Sequence, residues 1–156
     1  MIQRKQTLFL LLAVVVYVLA LFLPIGYLQP KGMGGVSSIY NLGLVDENGA
    51  IHIVGICVPM FLLLSVAAVI ALVTIFLYKK RKQQIMLCSI SMLFTFLWYV
   101  DYALIFIVKI PVAEIVGTLD YKFGACLPLI SIILVAMARK GVKDDEKLVR
   151  AADRIR

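Results

Sequence analysis

Four long apolar runs constrain this chain more than any other feature. Leu8–Leu28 spans 21 residues without a charge, and Ile53–Tyr78 spans 26. Ile85–Val108 covers 24 residues, interrupted only by Asp101, and Phe123–Ala138 adds 16 more. A bilayer-crossing helix needs about 20 mainly apolar residues, because the hydrocarbon core is roughly 30 Å thick and a helix rises about 1.5 Å per residue. Four such segments take up more than half of the 156 residues and leave little room for a soluble catalytic domain. The composition agrees. Hydrophobic residues make up 63% of the chain and charged residues 16%, against about 45–50% and about 25% in soluble domains. An ordinary cytosolic enzyme and a disordered tail are both excluded.

The sequence predicts an all-α membrane protein, a four-transmembrane-helix bundle with spans over about 8–28, 53–78, 85–108 and 121–139. Pro24 and Gly26 loosen the end of the first span, and Pro59 falls in the first turns of the second, where its missing N–H does least harm. Sixteen residues reach only about 24 Å, so the fourth span recruits Leu119–Tyr121 or thins the bilayer. The first run follows a basic start, Arg4 and Lys5, as a signal peptide does. It is too long for a signal core of about 7–15 residues and lacks a small-residue cleavage site, so it is expected to remain as a span.

Orientation follows from Lys and Arg. Two lie before the first span, four in the link Lys79-Lys80-Arg81-Lys82 and seven after the fourth, thirteen of the sixteen in all. Lys31, Lys109 and Lys122 fall on the other side. Both termini are therefore expected in the cytoplasm. The net charge of +7 is first a topology signal, and no soluble basic face remains to bind nucleic acid.

The outer link Gln29–His52 is long for a connector. Val36–Val45 is rich in β-branched and aromatic residues, Asp46-Glu47-Asn48-Gly49 is a turn, and Ala50–Val54 resumes an apolar alternation. This predicts a β-hairpin over about 36–54. Val112–Leu119 is a candidate third strand, giving a small extracytoplasmic sheet; an irregular loop is the alternative. Met33 with Gly32, Gly34 and Gly35 leads flexibly into the hairpin and lacks the strand-to-helix context of a phosphate loop.

Asp101 is the sharpest single signal, since an ionisable residue inside a span is costly and marks a functional candidate. It lies in the outer half of the third span, among Trp98, Tyr99 and Tyr102. Asp101, Tyr99 and Tyr102 form the candidate intramembrane polar site, with an interfacial carboxylate bonded to a tyrosine or to Lys109 as the structural alternative. Cys57, Cys88 and Cys126 form no close pair; Cys57 and Cys126 share a leaflet, and a disulfide between them competes with plain packing. His52 is the single histidine and makes no metal site. No cofactor or metal is expected, and no catalytic residues. Ser65, Ser89, Ser91 and Ser131, with Ala67 and Ala71, read as helix-packing residues.

Lys79, Lys80, Arg81 and Lys82 are candidates for lipid-headgroup contact, each cation being worth about 1 kcal/mol near an anionic surface. A stop signal for topology explains them equally. The tail opens with Asp144-Asp145-Glu146 and closes with Lys147, Arg150, Arg154 and Arg156, a charge order that suits a helix dipole. Leu148, Ala152 and Ile155 share one stripe. A short amphipathic cytoplasmic helix over 144–156 is expected, and Glu146, Leu148, Arg150, Arg154 and Ile155 are the candidate docking residues.

The opening Met1-Ile2-Gln3-Arg4-Lys5-Gln6-Thr7-Leu8, the basic corner Tyr78-Lys79-Lys80-Arg81-Lys82-Gln83-Gln84-Ile85 and the close Asp145-Glu146-Lys147-Leu148-Val149-Arg150, with Asp153-Arg154-Ile155-Arg156, carry a resemblance. They are similar to a domain-of-unknown-function family of small four-span proteins from Bacteroidetes. The resemblance covers the whole chain and is most specific at its end. It implies a four-span topology and a bacterial inner-membrane address, and it implies no activity. The expected role is a non-enzymatic subunit or accessory factor, held in the lipid bilayer and docking a membrane complex or cytoplasmic protein through its tail. The alternative is a small oligomeric transporter or channel that uses Asp101.

Overall fold

The computed structural model describes residues 5–30, 35–45, 49–53, 57–78, 80–107 and 117–154. Among these residues the chain forms four long helices and one small antiparallel sheet. The helices are α1 (Lys5–Phe22), α2 (Val58–Phe76), α3 (Arg81–Ile107) and α4 (Leu127–Arg154). Three stretches, Val58–Phe76, Arg81–Ile105 and Phe123–Val149, are helical, long and apolar enough to cross a membrane. The apolar part of α1, Gln6–Phe22, is shorter. Helix α1 packs against α2 and α4, and α3 packs against the same two.

The side chains are distributed as expected where lipid, not water, lies outside. Large apolar residues such as Leu11 and Val15 on α1, Leu62 and Val69 on α2, and Phe96 on α3 face outward. Small and hydroxyl residues fill the seams: Ala13, Ala20, Ala67, Ala71, Ser91 and Thr95 are buried. In lipid, helices gain little from hiding apolar surface, so they associate through close backbone approach and hydrogen bonds. Ser91 Oγ donates to the Ala67 carbonyl across the α2–α3 seam at 3.0 Å.

Pro24 sets where α1 ends. The residue before a proline is pushed out of the helical region, and proline lacks the N–H that would bond four residues back. That bond would have gone to the Ala20 carbonyl. Asn41 supplies the missing donor, its Nδ2 reaching Ala20 O at 2.7 Å. The chain then runs extended into β1 (Gly26–Pro30). Residues 26–28, expected at the end of the first span, thus belong to the sheet.

The sheet order is β4-β3-β2-β1-β5, with β2 Ser37–Ile39, β3 Gly43–Val45, β4 Ile51–Ile53 and β5 Gly117–Tyr121. Every pairing is antiparallel. The expected hairpin is corrected in detail. Val36–Val45 is two strands, because the chain turns at Asn41-Leu42, with Tyr40 and Gly43 exchanging backbone bonds of 2.8 and 3.3 Å. The pairing of β3 with β4, Leu44 opposite His52, spans the expected turn; there Gly49 has φ +74°, a left-handed conformation that suits glycine. Asp46, Glu47 and Asn48 lie outside the described residues, as do Lys31–Gly34, Val54 and Lys109. The third strand sits at Gly117–Tyr121 and pairs with β1, Tyr27 opposite Asp120; Val112–Val116 are outside the described residues.

Lys122 opens a four-residue 3-10 turn, Phe123–Cys126, which leads into α4. The expected separate tail helix is also corrected. Helix α4 runs unbroken for 28 residues to Arg154, about 42 Å at the usual rise. Gly141 does not stop it, because an internal glycine costs only about 1 kcal/mol and this one packs directly on Gln6 of α1.

Candidate functional site

Trp98 organises the end of the helices nearest the sheet. It is fully buried, and the helical repeat places Tyr102 one turn above it. The two rings stack at 5.2 Å with planes 10° apart, and Tyr99 meets the indole edge-on at 4.9 Å. Trp98 Nε1 donates to Asn41 Oδ1 at 2.9 Å. Asn41 therefore joins α1, α3 and the β2–β3 turn through one side chain. Tyr99 donates its hydroxyl to the Ala125 carbonyl at 2.8 Å, and Tyr102 lies 6.5 Å from the ring of Tyr121. Lys122 covers the face of Tyr27 at 3.5 Å.

Asp101 sits on the flank of α3 that faces the start of α2, within electrostatic range of the buried Cys57. Its Oδ2 is buried and has no hydrogen-bond partner. The candidate trio of Asp101, Tyr99 and Tyr102 thus shares a level of the helix without converging. Residues two apart on a helix do not face each other, and the Tyr99 hydroxyl turns away toward the 3-10 turn. What Asp101 offers chemically is one uncommitted carboxyl oxygen, able to hold a proton or a cation.

Below Trp98 runs a ladder of hydroxyls, of which the sequence singled out only Ser91, as a helix-packing residue, and not Tyr17 or Thr95. Tyr17 Oη lies 2.7 Å from Thr95 Oγ1 and 3.5 Å from Ser91 Oγ, and Thr95 donates to the Ser91 carbonyl at 2.9 Å. The signal was a tyrosine in mid-span, away from either interface, with Ser91 and Thr95 one turn apart. The ladder stitches α1 to α3.

At the opposite end, Asp145 joins three helices. Gln6 Nε2 of α1 donates to its carboxylate at 2.5 Å, and Arg81 Nη1 of α3 reaches its backbone carbonyl at 3.2 Å. Lys80 and Lys82 are exposed beside Arg81; Lys79 lies outside the described residues. Beyond Asp145, Leu148 is 70% exposed and Val149 44%. Glu146 is half-buried, and Lys147 lies 3.9 Å from Asp144. Arg150 and Arg154 lie within α4, and Ile155 lies outside the described residues. Cys57, Cys88 and Cys126 are free thiols, Cys57 buried and Cys126 exposed. His52 is exposed on β4.

No curated protein matches the chain. A family profile, described as a domain of unknown function, aligns with residues 2–155. It takes in all four helices, the sheet and the α4 extension together. A match over nearly the whole length assigns the chain plainly: it belongs to the DUF4293 family, a domain of unknown function.

Proposed function

We propose that this protein is a four-span, non-enzymatic subunit of the bacterial inner membrane that docks a partner through the end of α4. The outward-facing apolar side chains of α1, among them Leu8, Leu11, Val15 and Leu19, support a fourth span despite its shorter length. Thirteen of the sixteen cations fall before the first apolar run, in the 79–82 link or after the fourth run, which supports cytoplasmic termini.

One observation carries the docking role. The α4 extension is an unbroken helix, braced at Asp145 by Gln6 and Arg81, and it then presents Leu148 and Val149 to solvent. A frayed tail needs no brace, and an isolated helix this short is marginal. A photo-crosslinking side chain at position 148 is expected to capture one recurrent protein, with Lys82 as the control position. Leu148→Asp is expected to weaken that complex about 10- to 100-fold, the loss of one buried leucine, with membrane insertion unchanged. Equal crosslinking at both positions, or a Leu148→Asp variant that keeps its partner, would sink the docking role.

The uncommitted oxygen of Asp101 favours a second reading, ion- or proton-coupled transport. Trp98 fills the interior one turn below it and Tyr17 the interior further down, so a conducting path would run between copies of the chain. In proteoliposomes, Asp101→Asn is expected to abolish coupled flux while leaving the helical circular-dichroism signal intact. Unchanged flux would end this reading.

A further inference from the structure

Arg139 carries a charge that the contacts described so far do not use. It lies on α4 against α3, within electrostatic range of the buried Cys88. Its Nε is buried and has no hydrogen-bond partner. A buried guanidinium donor left open is costly. Neighbouring acids are directed elsewhere: Asp144 faces Lys147, and the Asp145 carboxylate accepts from Gln6. Glu146 is seven residues on, about 10 Å further along the helix.

Basic groups, by contrast, converge on this seam. Arg81 leans across it from α3 to reach the Asp145 carbonyl. Lys143 is one turn from Arg139 on the same side of α4 and is exposed, as is Lys140. Directly above, α4 turns outward-apolar with Met137 and Ile133. The seam therefore offers a planar guanidinium and an ammonium at the foot of an apolar wall. Guanidinium groups match phosphate oxygens with two parallel donors, and long basic side chains at helix ends reach toward the headgroup layer.

We propose that the α3–α4 seam binds a phosphate-bearing anion, in place the headgroup of an anionic phospholipid, with Arg139 as the central ligand and Lys143 and Arg81 beside it. The proposal rests on α3 and α4 being spans, and it is independent of docking through Leu148. Crosslinking from position 148 is therefore expected to survive loss of this site.

The test is native mass spectrometry of the full chain released from nanodiscs of phosphatidylethanolamine mixed with phosphatidylglycerol. The wild type is expected to retain one phosphatidylglycerol in preference to phosphatidylethanolamine. Losing one charge-assisted contact corresponds to about a tenfold weakening, so Arg139→Gln is expected to lose that retention. Arg139→Lys should recover part of it. Lys147→Gln, an exposed cation two turns further along α4, should leave it unchanged, which separates a site from general attraction to a negative surface. Inorganic phosphate at millimolar concentration is a parallel arm. If it displaces the lipid, the phosphate site stands and its ligand is a soluble phosphate. Retention in Arg139→Gln equal to wild type, or equal losses in Arg139→Gln and Lys147→Gln, overturns the proposal. Thermal unfolding of each variant shows whether any loss reflects a misfolded chain.

Discussion

Trp98→Ala is expected to destabilise this protein by about 3–5 kcal/mol, the usual range for removing a large aromatic from a packed interior. The reason differs from that in a water-soluble core. Lipid is as apolar as the side chain, so little transfer energy from water is lost. What is lost is contact. Trp98 is fully buried and touches Tyr99 edge-on and Tyr102 face-on. Removing the indole leaves both rings facing a cavity. It also strips Asn41 Oδ1 of its donor, and an unpaired buried acceptor adds about 1–3 kcal/mol. Asn41 holds the β2–β3 turn to the end of α1, so the sheet should loosen with it. Thermal unfolding in mild detergent, followed by circular dichroism, measures the first effect. Faster proteolysis within residues 40–45 measures the second. Trp98→Phe keeps most of the ring contact and loses only the N–H, so it should fall between. A Trp98→Ala protein within about 1 kcal/mol of wild type would mean that the aromatic cluster does not hold the sheet end together.

Gly124→Ala should be the next most damaging change, although it adds a single methyl group. A Cβ at this position would lie 2.2 Å from the Pro24 carbonyl oxygen and 2.9 Å from its carbon. Both are backbone atoms, and they are held in place. Ile25 N donates to Ile39 O at 2.8 Å, and Lys122 N donates to Ile25 O at 3.1 Å. To admit the methyl, either β1 must part from β5 or the 3-10 turn must lift off α1. Overpacking typically costs about 1–3 kcal/mol and more where nothing can yield, so the upper end is expected. Gly141→Ala is the matched control. Its Cβ would approach the Gln6 side chain at 2.8 Å. That side chain can turn aside, and the gain in helix propensity is about 1 kcal/mol. A small net change is expected there. Equal losses at the two glycines, measured by the same unfolding assay, would mean that the Pro24 contact is not the constraint.

These residues also mark how far the sequence could be read. Helices α2 and α3 were legible because an uncharged run longer than a bilayer is thick has few other folded solutions. Asp101 was legible as an outlier in such a run. The ends of elements were less so. Leu8–Leu28 is one apolar run, yet the structure divides it at Pro24 and gives residues 26–28 to the sheet. Apolarity does not distinguish a helix end from a strand buried against it. The charge pattern that begins afresh at Asp144 reads as the start of a separate helix. The helix continues through Gly141 since Gln6 and Arg81 brace it from other parts of the chain.

By itself, then, the sequence determined the membrane character, the positions of the apolar helices and the concentration of cations in three short segments. These follow from local composition, and every residue contributes regardless of its neighbours in space. Tertiary structure alone decided that Asn41 replaces the donor Pro24 lacks, that Tyr17 meets Thr95, and that Gly124 must stay without a side chain. It also decided that Tyr99 turns away from Asp101 and that Arg139 lies open beside α3. Each is a contact between residues distant along the chain, or a direction in which a side chain points. Both are set by which helices pack together, and composition carries no record of that.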